Sequence, residues 1–183
     1  MITHKGKKID YIEHGEGPAI LFIPGSFSTP SAWSAVQKLM PPNYRFISTS
    51  LCGYGSTEEL RSTDNYGMHN LIDIIETVVA KIGQPVHLVG HSFGGMVALA
   101  CALSDRFEIL SITTFEANPI TLIDACRHRH LFEETIKIKD EFEAAFNAQN
   151  KDAAKIIIDF WGGDGSFASM PDPVQQYCRQ TAY

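Results

Sequence analysis

The chain has 183 residues, 44% of them hydrophobic, which is enough for one sizeable core with a small appended subdomain. Fifteen Lys and Arg against 21 Asp and Glu give a formal net charge of −6 with no dense basic tract, which argues against a nucleic-acid partner. No charged-then-apolar leader and no long apolar span is present, so the expectation is a cytoplasmic protein without a membrane segment.

Residues 1–14 alternate in polarity, with a turn at Lys5-Gly6-Lys7, which predicts a β-hairpin at a sheet edge. Gly15-Glu16-Gly17-Pro18 ends it. Ala19-Ile20-Leu21-Phe22-Ile23 is continuously apolar, the pattern of a strand covered on both faces. Pro24 to Pro30 forms a loop after that strand. Ser31 to Met40 reads as a helix with Trp33, Val36 and Leu39 at helical spacing, stopped by Pro41-Pro42. Arg45 to Thr49 is a further short strand, followed by the loop Leu51-Cys52-Gly53-Tyr54-Gly55-Ser56. Gly53-Tyr54-Gly55 lacks a third glycine and opens no helix, so it is not a dinucleotide fingerprint. Asn65 to Ile82 carries a helical stripe of Leu71, Ile72, Ile75, Val78, Val79 and Ile82, with Gly83 as its C-cap.

The stretch that organises the rest is Val86 to Gly95. Val86, Leu88 and Val89 form a β-prone apolar run behind Gly83 and Pro85, the mark of a buried parallel strand. Met96 to Leu103 is rich in helix formers and has no breaker. The chain therefore turns from strand to helix across Gly90-His91-Ser92-Phe93-Gly94-Gly95, with Ser92 at the apex. Such a bend brings backbone segments together, and glycine removes the side chains that would collide. This is G-x-S-x-G in the strand–turn–helix context that a nucleophile elbow requires.

Ile109 to Phe115 is another strand, ending at Glu116-Ala117-Asn118-Pro119. After Pro119 the pattern is helical throughout: 120–129, 131–149, 151–161 and 172–183. Strands alternate with helices to about residue 118 and only helices follow, which predicts an α/β core over 1–118 and a helical cap over 119–183. The cysteines Cys52, Cys101, Cys126 and Cys178 are far apart and form no C-x-x-C, the pattern of reduced thiols. Cys101, on the helix behind the bend, reads as core. Phe132, Phe142, Phe146, Phe160, Trp161 and Phe167 serve either as core or as an apolar pocket wall.

Three motifs together resemble the α/β-hydrolase family. Gly90 to Gly95 is the most specific. Pro24-Gly25-Ser26-Phe27 stands where that family has His-Gly and its first oxyanion loop. Ser50-Leu51-Cys52-Gly53-Tyr54-Gly55-Ser56 resembles its Asp-x-x-Gly-x-Gly-x-Ser loop. Pro24 replaces the His and Ser50 replaces the Asp. The resemblance implies a mostly parallel, doubly wound sheet, and acyl transfer without cofactor or metal. Ser92 would attack a carbonyl carbon, and the oxyanion would be held by the backbone N–H of Phe93 and of Ser26, with Phe27 as neighbour. A small ester, thioester, lactone or amide would be the substrate.

In that family the order is nucleophile, acid, His. The last two strands of the family and the loop carrying the His have no counterpart before Tyr183. Glu116 stands where some members place the acid, and equally could cap the following segment. Asp124 is a weaker candidate. Of the seven histidines, His91 should point away from Ser92 and His87 should pack under a helix. His4 and His14 fall in the hairpin, and His69 starts a surface helix. His128 and His130 form a solvated, weakly basic patch, and residues two apart on a helix share no face for a metal.

Strand 109–115 would be central in the complete fold, so here it becomes an apolar edge open to association. The expectation is that the 183 residues continue in a longer hydrolase, or that a partner strand or second copy covers the edge. Besides a serine hydrolase, two other readings stay open. One is a catalytically silent module that binds a small molecule or a protein. The other is a cofactor-free oxygenase or haloperoxidase-like activity on the same fold.

Overall fold

The computed structural model describes residues 1–125 and 127–181. The chain divides at Asn118/Pro119 into two compact units.

The first unit is built on five strands: β3 (Ile12–His14), β4 (Ala19–Ile23), β5 (Arg45–Ser48), β6 (Val86–His91) and β7 (Ile109–Phe115). Their order is β3-β5-β4-β6-β7, with β3 antiparallel and the rest parallel. The chain leaves β4 toward β5 on one side, then returns to lay β6 and β7 on the other. The order therefore reverses beside β4. In open parallel sheets the crevice at the carboxyl ends of the strands flanking such a reversal is where ligands bind. The register places Ile23 opposite Gly90, and His91 opposite Phe115, so the loops after β4, β6 and β7 leave the sheet at one level.

β4 is buried along its whole length because both faces are covered. Ala19, Leu21 and Ile23 face a core shared with Leu71, Ile75 and Val78 of α2 (His69–Ile82) and with Val97, Ala98 and Cys101 of α3 (Phe93–Ser104). Ile20 and Phe22 face the other way, onto Trp33 and Phe46. The predicted stripe of α2 is buried throughout, and Gly83 caps the helix at φ 74°. Burial pushes the Cys101 thiol up to about 12, as suits a core residue. Cys52 and Cys178 are likewise buried free thiols, and Cys126 lies outside the described residues.

Some elements differ from the sequence expectation. The N-terminal alternation is two pieces. β1 (Ile2–His4) and β2 (Lys7–Ile9) make a hairpin of their own, and β3 then joins the main sheet against β5. The helix expected over 31–40 is a 3₁₀ turn at Pro30–Trp33 running into α1 (Ser34–Leu39). Only Trp33 of its apolar series is buried; Leu39 is 88% exposed, because the short helix stops before a second turn can face the sheet. α2 begins at His69, four residues after the expected start, the preceding Ser62 and Asn65 forming an isolated bridge. His87 does not pack under a helix: it is half-buried, with Nδ1 2.8 Å from Ser111 Oγ on the neighbouring strand.

β7 is the edge of the sheet among the described residues. Leu110 on that strand is 49% exposed and Leu103 on α3 is 89% exposed. No helix of the described residues is long and apolar enough to cross a membrane.

The second unit contains α4 (Ile120–Ala125), α5 (Arg129–Asn147), α6 (Ala153–Gly162), the single turn α7 (Ser166–Ser169) and α8 (Asp172–Thr181). Its buried centre is Ala153, Ala154, Phe167 and Cys178, with the Arg179 guanidinium stacked 5.0 Å over the Phe167 ring. Of the aromatics singled out from the sequence, Phe167 is core and Trp161 is exposed.

The close approach of β4 to the start of α3 is tight enough to test. A Cβ at Gly94 would run into the carbonyl oxygens of Ile23 and Pro24, which are backbone atoms and cannot swing away. Gly83 has a positive φ too, but open space around it. Gly94→Ala should lower unfolding free energy by about 3 kcal/mol or more through overpacking. Gly83→Ala should cost only about 1–2 kcal/mol of left-handed strain. Urea midpoints of the two variants compare them directly.

Candidate active site

The bend between β6 and α3 puts Ser92 at φ 51°, ψ −122°, outside the regions a side-chain-bearing residue normally occupies. Three features hold it there. The Ser92 N–H donates to the Phe115 carbonyl at the end of β7, 2.8 Å away. The Ser92 carbonyl accepts from the N–H groups of Gly95 and Met96 at 2.9 and 3.2 Å. Gly90 and Gly94 meet without side chains: a Cβ at Gly90 would lie 2.5 Å from the Gly94 oxygen. Ser92 is half-buried, and Phe93 follows as the first residue of α3, where N–H groups lack an intrahelical acceptor.

The loop after β4 lies against this bend. A Cβ at Gly25 would come within 3.1 Å of both Ser92 Cβ and His91 Nδ1. Ser26 is exposed, and Phe27 is half-buried at φ 56°. Neither amide donates to a backbone acceptor among the described residues.

The His91 ring lies between Gly25 and Glu116. Its Nε2 lies 3.2 Å from Glu116 Oε2. Glu116 has φ 52° and a side chain 84% exposed, so the contact is a solvated one and contributes little to stability. His91 also lines an apolar cavity of about 230 Å³ with Pro24, Ala32, Trp33, Val36 and Phe115. Of Asp124 the structure describes only the backbone, in α4. No histidine among the described residues hydrogen-bonds the Ser92 hydroxyl. His4 pairs with Thr77 and His69 with Asn65, His14 lies on the Phe46 ring, and His128 and His130 face each other in the second unit. No group of three or more His, Cys, Asp or Glu side chains among the described residues converges to hold a metal.

The loop after β5 is anchored by a residue not singled out from the sequence. Asp10, between β2 and β3, is buried, and its Oδ2 accepts the Ser50 hydroxyl and the Ser56 N–H, both at 2.8 Å. The Asp10 N–H donates to Thr57 Oγ1 at 3.0 Å, and its carbonyl accepts from Thr49 Oγ1 at 2.7 Å. So the carboxylate that position 50 lacks arrives from the link between β2 and β3. The available signal was a lone acid, Ile9-Asp10-Tyr11, inside an alternating stretch.

The sequence profile of the alpha/beta hydrolase family matches residues 20–181. The chain belongs to the alpha/beta hydrolase family. An alpha/beta hydrolase from Sphaerobacter thermophilus shares the fold with a TM-score of 0.75 at 17% identity, over 97% of this chain and 66% of that one. A thioesterase domain from the curacin biosynthetic pathway superposes with a TM-score of 0.55 at 30% identity, over 61% of this chain and 41% of that domain. A pimeloyl-[acyl-carrier protein] methyl ester esterase from Aeromonas salmonicida is 29% identical over 105 residues, 57% of this chain. This chain spans 40% of that esterase's length.

The borrowed carboxylate makes a sharp prediction. Ser50→Asp would set a second carboxylate against Asp10 in a buried site, and should destabilise the protein by about 2 kcal/mol. The exchange Asp10→Ser with Ser50→Asp should recover part of that loss. Thermal midpoints of the single and double variants, read as a cycle, check the coupling.

Proposed function

We propose that this protein hydrolyses a small ester or thioester through an acyl-enzyme on Ser92. The observation that carries the reading is the backbone of Ser92. A strained apex, fixed by close-packed glycines and two neighbouring strands, presents a hydroxyl at the carboxyl edge of a parallel sheet. Strain of this kind persists where the surrounding structure over-determines it, and it gathers at functional sites. The esterase and thioesterase relatives support an acyl substrate.

In the proposed reaction the Ser92 Oγ attacks the carbonyl carbon as its proton passes to a general base. The carbonyl oxygen becomes an oxyanion, which the N–H of Phe93 and the N–H of Ser26 stabilise. One such donor is worth about 3–4 kcal/mol in the transition state. The C–O or C–S bond to the leaving group then breaks, and the departing group takes up the proton. Water reverses the sequence at the acyl-serine and releases the acid. Glu116 is proposed as the acid that orients the base, and binding of a base there would compete with its present contact to His91.

A second reading is a hydrolase-fold module that binds without turnover. The absence, among the described residues, of a histidine bonded to the Ser92 hydroxyl favours it.

A fluorophosphonate probe separates the two. The native protein should label at Ser92, located by peptide mass spectrometry, and Ser92→Ala should abolish the adduct. A native protein that binds small acyl ligands but never labels at Ser92 would establish the second reading.

A further inference from the structure

The apolar cavity of about 230 Å³ forms where the 3₁₀ turn and α1 meet the carboxyl ends of β4, β6 and β7. Trp33 is packed against the Phe22 ring, with centroids 5.3 Å apart, and against the Phe115 ring at 6.2 Å. Its indole N–H is buried and meets no acceptor among the described residues, so packing alone holds the ring. Val36 and Phe115 also line the cavity, and they stand 41% and 50% exposed. Apolar side chains left half in water around a hollow are what a ligand of the same character would cover.

Gly25 belongs to the cavity wall and to the Ser92 contact at once. A Cβ there would come within 3.1 Å of both Ser92 Cβ and His91 Nδ1, so the hollow begins one residue's width from Ser92. His91 is the one ionisable residue in the lining among the described residues, and its Nε2 is turned to Glu116. Such walls suit an uncharged chain and penalise a charged one. Size sets the length. An apolar cavity of about 150 Å³ holds benzene, so one half as large again holds a chain of about five to eight carbons.

We infer that this cavity is the acyl subsite: it takes a straight, uncharged acyl chain of medium length while the carbonyl carbon is bonded to Ser92. The inference rests on the acyl-hydrolase reading and narrows its substrate. The acyl side is assigned because that group stays on Ser92 from the first step to the second, whereas the alcohol or thiol departs to solvent between them. A walled hollow beside Ser92 serves the part that stays.

A series of p-nitrophenyl esters reads the chain length. For the unsubstituted protein kcat/KM for the hexanoate should exceed that for the acetate and for the dodecanoate by about tenfold or more. Val36 sits half in water on a short helix, so its size can change without disturbing the core. Val36→Phe should lower the hexanoate-to-acetate ratio at least about tenfold, and Val36→Ala should move the optimum to a longer chain. Binding is read without turnover. Trp161→Phe leaves Trp33 as the one tryptophan, and 6-bromohexan-1-ol should quench it saturably, with half-saturation at least about tenfold higher once Val36→Phe is added. A flat chain-length profile, or one that neither Val36 variant moves, overturns the inference while the hydrolase reading stands. So does a preference for hexyl acetate over ethyl acetate that Val36→Phe abolishes, which would place the alcohol in the cavity. If no ester is turned over and Ser92 never labels, the acyl-hydrolase reading fails and the acyl assignment with it; saturable quenching lost on Val36→Phe then shows a site for an apolar chain alone.

Discussion

The structure depends on one strained residue being held from several sides at once. Ser92 adopts a conformation that costs free energy on its own, of the order of 1–3 kcal/mol. It persists because each way out is closed. Relaxing φ would break the bond to the Phe115 carbonyl, and it would pull Gly95 and Met96 off the Ser92 carbonyl. It would also separate two stretches of backbone that touch only because Gly90 and Gly94 carry no side chain. The hold comes from β4, β6, β7 and α3 together, so the bend is a property of the packed unit and not of the six residues that spell it.

That dependence explains what the sequence showed well. Val86 to Leu103 reads as strand, bend and helix because periodicity changes from a short β-prone run to a string of helix formers, with glycines where the two must touch. Ala19–Ile23 reads as a doubly covered strand because neither face of β4 meets water. The stripe of α2 was legible for the same reason: every residue of it meets one core. Local pattern and tertiary environment agree at these places, and agreement of that kind is what makes a sequence specify its fold.

The parts that were not legible depend on pairings distant in sequence. Nothing near Ser50 indicates that Asp10, forty residues earlier, brings the carboxylate, because a hydrogen bond between remote segments leaves no period in the chain. Tyr54 reads as a turn residue between two glycines, and its ring contact with Phe27 appears only once two loops meet. His87 was misplaced because alternation says which residues share a face but not whether a helix covers that face; at the β7 side of the sheet it is open enough for His87 to bond Ser111. Leu39 failed for a similar reason, since α1 ends too soon for its last residue to return to the sheet.

The same bond that fixes Ser92 ties it to the least protected strand. Phe115 closes the bend through its carbonyl, yet β7 has a neighbour on one side only among the described residues, and Leu110 and Leu103 stand in water beside it. A strand held by a single ladder frays more readily than a central one. Were its last residues to lift away, Ser92 would lose the acceptor of its N–H, and Glu116, next in the chain, would leave His91 with it. A strand paired to the free side of β7 would therefore act on the geometry of the bend without touching it, by holding the Phe115 carbonyl, and through that one oxygen the strained turn, in place.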